Sequence, residues 1–266
     1  MFSSVTFWCE FPEKVNWKAF QKLIDFDSSV YVISKDRKTY EAWKKKIKSR
    51  NIEVGAWPAL SFEEGYWFSG LCSKQSIDKL KEFNGLKIKI DLEPPKRLVT
   101  YSKLAGIAYA LEYFLFRSYH NSSYLEETIY DLSRTTDIIV SGYPFPRRLS
   151  RRYGGDVKSN KNIRKNYFIY TSFFSSPIKE WLNSYYRKFI KERLKEEGER
   201  AMFALGCIGH GIYGNEPVYR NVGEFDYDLQ MLNELCVKNL VVFEVSGIMN
   251  RSNPKEWINA IKEYLK

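Results

Sequence analysis

The sequence predicts an α/β protein built as a single (β/α)8 TIM barrel over residues 1–266. Strand-like and helix-like stretches alternate along the whole chain, about eight times, and such alternation is typical of a parallel sheet. The chain has 266 residues, and a closed barrel of this kind needs about 250. No Gly-rich phosphate turn follows the first strand, which favours the barrel over an open, doubly wound sheet.

The predicted strands are short runs rich in β-branched and aromatic residues, most of them ended by Pro, Gly or a charged residue. They cover residues 5–10, 30–33, 52–57, 86–93, 137–141, 167–171, 201–205 and 240–243. The predicted helices are stretches with apolar residues at helical spacing. They cover residues 16–26, 39–49, 76–83, 101–116, 123–132, 177–197, 227–236 and 254–265. Asn16 is a suitable N-cap for the first helix.

The composition limits the class of protein. The chain contains 42 basic and 32 acidic residues, and this formal charge of +10 permits nucleic acid or an acidic substrate as partner. No apolar run approaches the roughly 18 residues of a membrane span, and no signal-peptide pattern begins the chain. We therefore expect a cytoplasmic protein without a membrane partner. Frequent Lys, Glu and Ile with few Gln are typical of thermophilic proteins.

The fourth predicted strand carries charge where a buried parallel strand normally does not. Side chains alternate along a strand, so Lys89, Asp91 and Glu93 share one face while Ile88 and Ile90 share the other. Charges leave water only with partners or for a use. We expect Lys89 to pair with Asp91 or with a carboxylate of the first strand.

Carboxylates recur at the carboxyl ends of the predicted strands, where TIM barrels carry their chemistry. They are Glu10, Asp91, Glu93 and Glu244. Carboxylates gathered in a low-dielectric site raise one another's pKa, so that one stays protonated as an acid while another stays ionised. Glycoside cleavage needs one carboxyl group that is protonated and another that is ionised. Aromatic residues that suit the apolar faces of sugar rings lie nearby, namely Trp57, Tyr66, Trp67 and Tyr143.

The segment Asp91-Leu92-Glu93 resembles the end of the DxxDxDxE signature of glycoside hydrolase family 18, the chitinase-type barrels. The resemblance implies that Glu93 is the acid and that Asp91 orients it. Lys89 and Leu86 stand at the family's two earlier Asp positions, so we extend the likeness only to sugar-cleaving barrels in general. The tripeptide Asn215-Glu216-Pro217 is similar to one in other glycosidase barrels, but it lies beyond strand seven and receives no role.

The sequence thus predicts a carbohydrate-active hydrolase without a cofactor. Glu93 is the general acid/base, Asp91 sets its pKa, and Glu244 or Glu10 is the nucleophile or base. An alternative is a divalent-metal-dependent sugar isomerase-like or endonuclease-like barrel, with Glu93, His210 and Glu244 as ligands. A catalytically inactive barrel that binds sugars or anions is a further alternative.

A basic segment follows strand five and contains Asp156 as its acidic residue. Its basic residues are Arg147, Arg148, Arg151, Arg152, Lys158, Lys161, Arg164 and Lys165. As a strand-to-helix connection it belongs on the catalytic face, where Arg147 and Arg148 suit an anionic glycan or phosphate. The whole 147–165 segment also suits a nucleic-acid backbone, although no recognition motif accompanies it.

Overall fold

The computed structural model describes residues 1–96, 108–109, 111–113, 117–174 and 177–266. Eight parallel strands follow one another in chain order and close into a barrel, which confirms the predicted fold class. They are β1 (Ser4–Cys9), β2 (Ser28–Ser34), β3 (Ile52–Pro58), β4 (Ile88–Asp91), β5 (Ile138–Gly142), β6 (Ile163–Ile169), β7 (Met202–Leu205) and β8 (Asn239–Phe243).

The described residues also form nine α-helices. They are α1 (Trp17–Leu23), α2 (Arg37–Lys46), α3 (Lys74–Asp78), α4 (Ser122–Leu132), α5 (Arg147–Arg152), α6 (Ile178–Glu197), α7 (Val222–Glu234), α8 (Val245–Met249) and α9 (Pro254–Lys262). Short 3-10 turns occur at Pro12–Lys14, Lys79–Phe83, Thr171–Phe173 and Gly198–Arg200. The helix predicted over 101–116 lies outside the described residues, apart from 108–109 and 111–113.

Helix caps explain where two helices begin. Asn16 precedes α1 and its side chain accepts a hydrogen bond from the backbone N–H of Ala19 at 3.1 Å, which confirms the predicted cap. Helix α7 begins five residues before the predicted start, because Asn221 accepts from the N–H of Glu224 at 3.0 Å. An Asn followed three residues later by Glu is a helix-start signal that the apolar spacing alone did not reveal.

The chain forms two compact units, and each is described by itself. Unit 1 comprises Met1–Val32, Trp43–Val54 and Asn166–Lys266, and unit 2 comprises Ile33–Ala42 and Gly55–Lys165. The single domain predicted over 1–266 stays a prediction.

The paired residues of neighbouring strands are apolar and buried in both units. In unit 1, Phe7 of β1 lies opposite Val30 of β2 and Val242 of β8. In unit 2, Ile90 of β4 lies opposite Val140 of β5. All five residues are buried, because a parallel strand in a barrel wall is covered by side chains inside and by helices outside. Polar residues within such strands therefore need an explanation.

Within the described part of the chain, no helix has the length and apolarity that crossing a membrane requires.

Candidate active site

Strand β4 buries an ion pair in unit 2. Lys89 and Asp91 are 0% and 2% exposed, and Lys89 Nζ donates to Asp91 Oδ2 at 2.8 Å. This contact confirms the predicted pairing of Lys89 with Asp91. Removing one partner of such a pair leaves a buried charge without compensation, so the two residues depend on each other.

A tryptophan ring covers the buried ammonium group. Lys89 Nζ lies 3.2 Å from the ring centroid of Trp57, and Trp57 stacks on Trp67 with centroids 5.2 Å apart and planes at 4°. A desolvated cation–π contact contributes about 2 kcal/mol. Trp57 and Trp67 are only 1% and 5% exposed. Their rings thus pack around Lys89, which leaves little ring surface for a sugar.

Two opposing influences act on the pKa of the Asp91 carboxyl group. Its burial raises the pKa of the carboxyl group, while the Lys89 ammonium and hydrogen bonding with Ser141 and Trp57 act to lower that pKa. Burial prevails, and the pKa of Asp91 lies above its usual value. Ser141 is the β5 residue opposite Asp91 in the sheet register, so the neighbouring strand supplies part of this environment.

Glu93 lies two residues beyond Asp91 and is only partly buried. Tyr143, just after β5, donates its hydroxyl to Glu93 Oε2 at 2.5 Å. Burial, followed by the negative charge of Asp91, raises the pKa of Glu93 to about 7, against the lowering effect of Tyr143. A carboxyl group with this pKa is protonated in about half of the molecules at neutral pH, as an acid catalyst near pH 7 requires.

Aromatic side chains with solvent access lie elsewhere in unit 2. Tyr66 stacks on Phe62 with centroids 4.9 Å apart, and Phe62 is 59% exposed. Tyr143 stacks on Phe145 at 5.2 Å, and both rings are partly exposed. Of the four predicted sugar-binding aromatics, Tyr66 and Tyr143 therefore keep accessible rings.

Glu244 directly follows β8 in unit 1, and its carboxylate is held by hydrogen bonds within the fold. Its Oε1 accepts hydrogen bonds from the Ser246 hydroxyl and from the N–H of Gly247 at 2.9 Å, while its Oε2 accepts from the N–H of Glu10 at 3.2 Å. Glu244 is thereby the N-cap of α8, a helix absent from the predicted elements. Burial raises the pKa of Glu244, and these hydrogen bonds oppose the rise.

Two glycines bring the backbone after β7 against the start of α8. A Cβ atom on Gly209 would lie 2.4 Å from the Cα of Gly247, and one on Gly247 would lie 2.3 Å from the N of Gly209. Real Cβ atoms do not approach other atoms this closely, so both positions require glycine. The contact holds the Gly247 N–H in reach of Glu244.

Other predicted residues of unit 1 separate into buried and exposed groups. Glu10 is 3% exposed. His210 is exposed, and its Nδ1 donates to the backbone carbonyl of Glu216 at 2.7 Å. The carboxylate of Glu216 is buried near Glu10, at Gly211. The sequence did not predict that Glu216 lies near Glu10. This proximity depends on how the loop after β7 folds, which local periodicity does not encode.

The proposed metal ligands Glu93, His210 and Glu244 belong to different units, the first to unit 2 and the others to unit 1. Among the described residues, no three His, Cys, Asp or Glu side chains are placed to hold one metal ion.

The basic segment is not one continuous loop. Arg147–Arg152 forms α5, and the last three residues of 147–165 belong to β6. Lys165 is buried and pairs with Asp156 at 3.0 Å, while Arg151 pairs with the same carboxylate at 2.9 Å. Strand β6 begins earlier than predicted, because the ion pair with Asp156 compensates the charge of the buried Lys165 within the strand. Arg147 and Arg148 remain exposed.

No family model and no curated protein matches this chain. Among solved structures, the chain is similar to the PgaB (BpsB) glycoside hydrolase domain from Bordetella bronchiseptica, with a TM-score of 0.60 and 12% identity over 98% of this chain and 99% of that one. It is also similar to a xylose isomerase domain protein from Planctomyces limnophilus, with a TM-score of 0.47 and 11% identity over 98% and 95%.

At these identities the likeness shows the fold alone. The chain is thus a TIM barrel, as its sequence predicted, and it shares this fold with the Bordetella domain.

Proposed function

We propose that the protein is a carbohydrate-active, glycosidase-like hydrolase in which Glu93 is the general acid. The observation that carries this proposal is a strand-end carboxyl group with a pKa of about 7, beside the buried Asp91 and held by Tyr143. The fold shared with a glycoside hydrolase domain is consistent with it.

In the proposed reaction, protonated Glu93 gives its proton to the glycosidic oxygen as the bond to the sugar carbon breaks. The leaving sugar departs as an alcohol, and Glu93 becomes a carboxylate. Tyr143 donates a hydrogen bond to that carboxylate and stabilises it. A water molecule then supplies a hydroxyl group to the sugar carbon and returns a proton to Glu93, which completes hydrolysis.

Asp91 acts on Glu93 in this proposal rather than on the sugar. Its ion pair with Lys89 fixes the carboxylate in place, and its charge contributes to the raised pKa of Glu93. The nucleophile or base stays a prediction. Glu244 is the weaker of the two original candidates, since three donors already bind its carboxylate.

The substrate class follows from accessible side chains. Tyr66 and Tyr143 offer partly exposed rings to the apolar face of a sugar. Arg147 and Arg148 are exposed at the start of α5 and would bind carboxylate or sulfate groups of an anionic glycan. We therefore expect a carbohydrate substrate, with an anionic glycan favoured over a neutral one.

The test compares wild-type protein with Glu93→Gln on a panel of neutral and anionic oligosaccharides. Loss of the proton donor lowers the cleavage rate about 100-fold to 10,000-fold, with an unchanged circular dichroism spectrum. Glu82→Gln, at an exposed glutamate of the same unit, is the matched control and keeps full activity. Full activity in Glu93→Gln would remove the proposal, and affinity without turnover in the wild type would favour a binding barrel.

A further inference from the structure

A small cavity lies at the loop after β3 in unit 2. Its volume is about 220 Å³, and its walls include residues of that loop, Pro95 and Lys96 after β4, and the side chains of Tyr113 and Arg117. Pockets that take drug-sized molecules have about 300–1,000 Å³. This cavity therefore suits a ligand of one ring and not an extended oligomer.

Contacts among the described residues fix the walls of this cavity. The Gly65 carbonyl accepts a hydrogen bond from the N–H of Lys96 at 2.9 Å. A Cβ atom on Gly65 would lie 2.8 Å from the Cβ of Pro95, and Gly65 has a φ of +105°, so glycine is required there. The Tyr109 hydroxyl donates to the carbonyls of Pro94 and Pro95 at 2.9 Å and 3.2 Å. A ligand thus meets a preformed site, which lowers the entropic cost of binding.

The cavity lies close to Glu93 along the chain and in space. Pro95 is two residues beyond Glu93, so their Cα atoms are no more than about 7 Å apart. The N–H of Glu93 donates to the carbonyl of Phe68, at the end of the loop that lines the cavity, at 3.1 Å. Burial raises the pKa of Glu93, and the charge of Lys96 is among the influences that oppose this rise. A ligand in the cavity would therefore lie near the proposed acid.

Part of the lining is apolar. Phe62, Leu71, Pro95 and Tyr113 contribute carbon surface to the cavity. The ring of Phe62 is 59% exposed and stacks on Tyr66 with centroids 4.9 Å apart. The C–H face of a pyranose ring packs on surface of this kind. A small inorganic ion would gain nothing from these side chains, so they favour an organic ligand.

The charged part of the described lining has two groups of each sign. Lys96 and Arg117 are cations, while Glu63 and Glu64 are carboxylates. Lys79 donates to both oxygens of Glu64 at 2.7 Å, and this contact lowers the pKa of Glu64 to about 2, so that it is ionised. Balanced charges give no advantage to an anion or a cation. Each charged group can form a strong hydrogen bond with a sugar hydroxyl group.

We propose that this cavity binds one uncharged pyranose residue of the glycan, with its apolar face on Phe62 and its hydroxyl groups hydrogen-bonded to charged side chains such as Arg117. The inference rests on the proposed function for the kind of ligand. Arg147 and Arg148 would bind anionic groups elsewhere on the same glycan. The substrate would then contain neutral and anionic sugar residues.

The experiment uses the full-length Glu93→Gln protein, which binds substrate without turnover in the proposed mechanism. Titration calorimetry measures the binding of glucose, galactose, mannose and N-acetylglucosamine, and of glucuronic and galacturonic acid. We expect at least one of the neutral sugars to bind more tightly than either acid. Adding Phe62→Ala removes the exposed ring and should weaken that binding about tenfold, with an unchanged circular dichroism spectrum.

Trp181→Ala in the same Glu93→Gln protein is the matched control. Trp181 is an aromatic residue of unit 1 that is 69% exposed, and its removal should leave sugar binding unchanged. The proposal is overturned if none of the neutral sugars binds, if an acid binds most tightly, or if the Phe62→Ala protein binds as tightly as the control.

Failure of the hydrolase proposal gives a different result. Sugar binding that depends on Phe62, in a protein whose wild type cleaves no oligosaccharide, would support the cavity and refute the hydrolase. Cleavage by the wild type at a rate and KM that Phe62→Ala does not change would refute the cavity and leave the hydrolase proposal intact.

Discussion

Glu93 after β4 and Glu244 after β8 are the same residue type at the same kind of position, yet their surroundings differ. Three donors bind the Glu244 carboxylate, and two of them belong to the helix that it caps. Glu93 has Tyr143 as a side-chain donor, and a buried carboxylate beside it. Hydrogen-bond donors around a carboxylate stabilise its charged form, so such a group supports the structure. A carboxylate with few donors and a like charge beside it has a raised pKa and can exchange a proton near neutral pH.

The largest expected effect comes from the ion pair that supports Glu93. Lys89→Met leaves Asp91 buried without its cation, and we expect the free energy of unfolding to fall by about 3–5 kcal/mol. Urea denaturation measures the loss. Lys87→Met, two residues earlier and exposed, is the control and should change stability by less than about 0.5 kcal/mol.

Adding Asp91→Asn to Lys89→Met removes the uncompensated charge, so the double variant should be more stable than Lys89→Met alone. A double variant that is as unstable as the sum of both single variants would show that the two charges act independently.

The second effect tests whether Glu244 is structural. Glu244→Ala leaves the N–H groups of Gly247 and Glu10 without their acceptor and removes the α8 cap, so we expect a loss of about 2–3 kcal/mol in unfolding free energy. Asn221→Ala removes the exposed cap of α7 and should cost only about 1 kcal/mol. Equal losses in the two variants would mean that burial adds nothing to the Glu244 cap.

The third effect is the pH dependence of stability due to Glu93. Its folded pKa of about 7 lies above the unfolded value of about 4.3, so the folded state holds this proton to higher pH. The contribution of Glu93 to stability is complete below about pH 4.3 and is lost as pH rises through 7, with a slope of at most about 1.4 kcal/mol per pH unit.

Glu93→Gln removes this dependence, and the variant should gain stability relative to wild type as pH rises from about 4 to 8. Chemical denaturation at several pH values measures the difference between the two proteins. A constant difference across this range would show that Glu93 has an ordinary pKa and would weaken its assignment as the acid.

The sequence predicted the barrel and the ion pair of β4 because both depend on local pattern. Alternation of strands and helices predicted the (β/α)8 class, and the charged face of one strand predicted the contact between Lys89 and Asp91. The burial of Trp57 against Lys89 was missed, since an aromatic residue at a strand end fits a sugar site and a packed core equally well.

The sequence pattern did not predict contacts between segments that are distant along the chain. Glu216 lies near Glu10 only because the loop after β7 folds back on itself, and Glu244 caps a helix although Glu is an unusual N-cap residue. Neither arrangement leaves a period or spacing in the sequence.

The approach of Gly209 to Gly247 limits how this protein can be altered. Loops at strand ends are where barrel enzymes are usually diversified, by insertion or by exchange of loops. Here any residue other than glycine at either position would push the loop after β7 away from α8 and draw the Gly247 N–H from Glu244. A library that randomises this loop should keep both glycines fixed, or its members will be selected for folding before they are selected for activity.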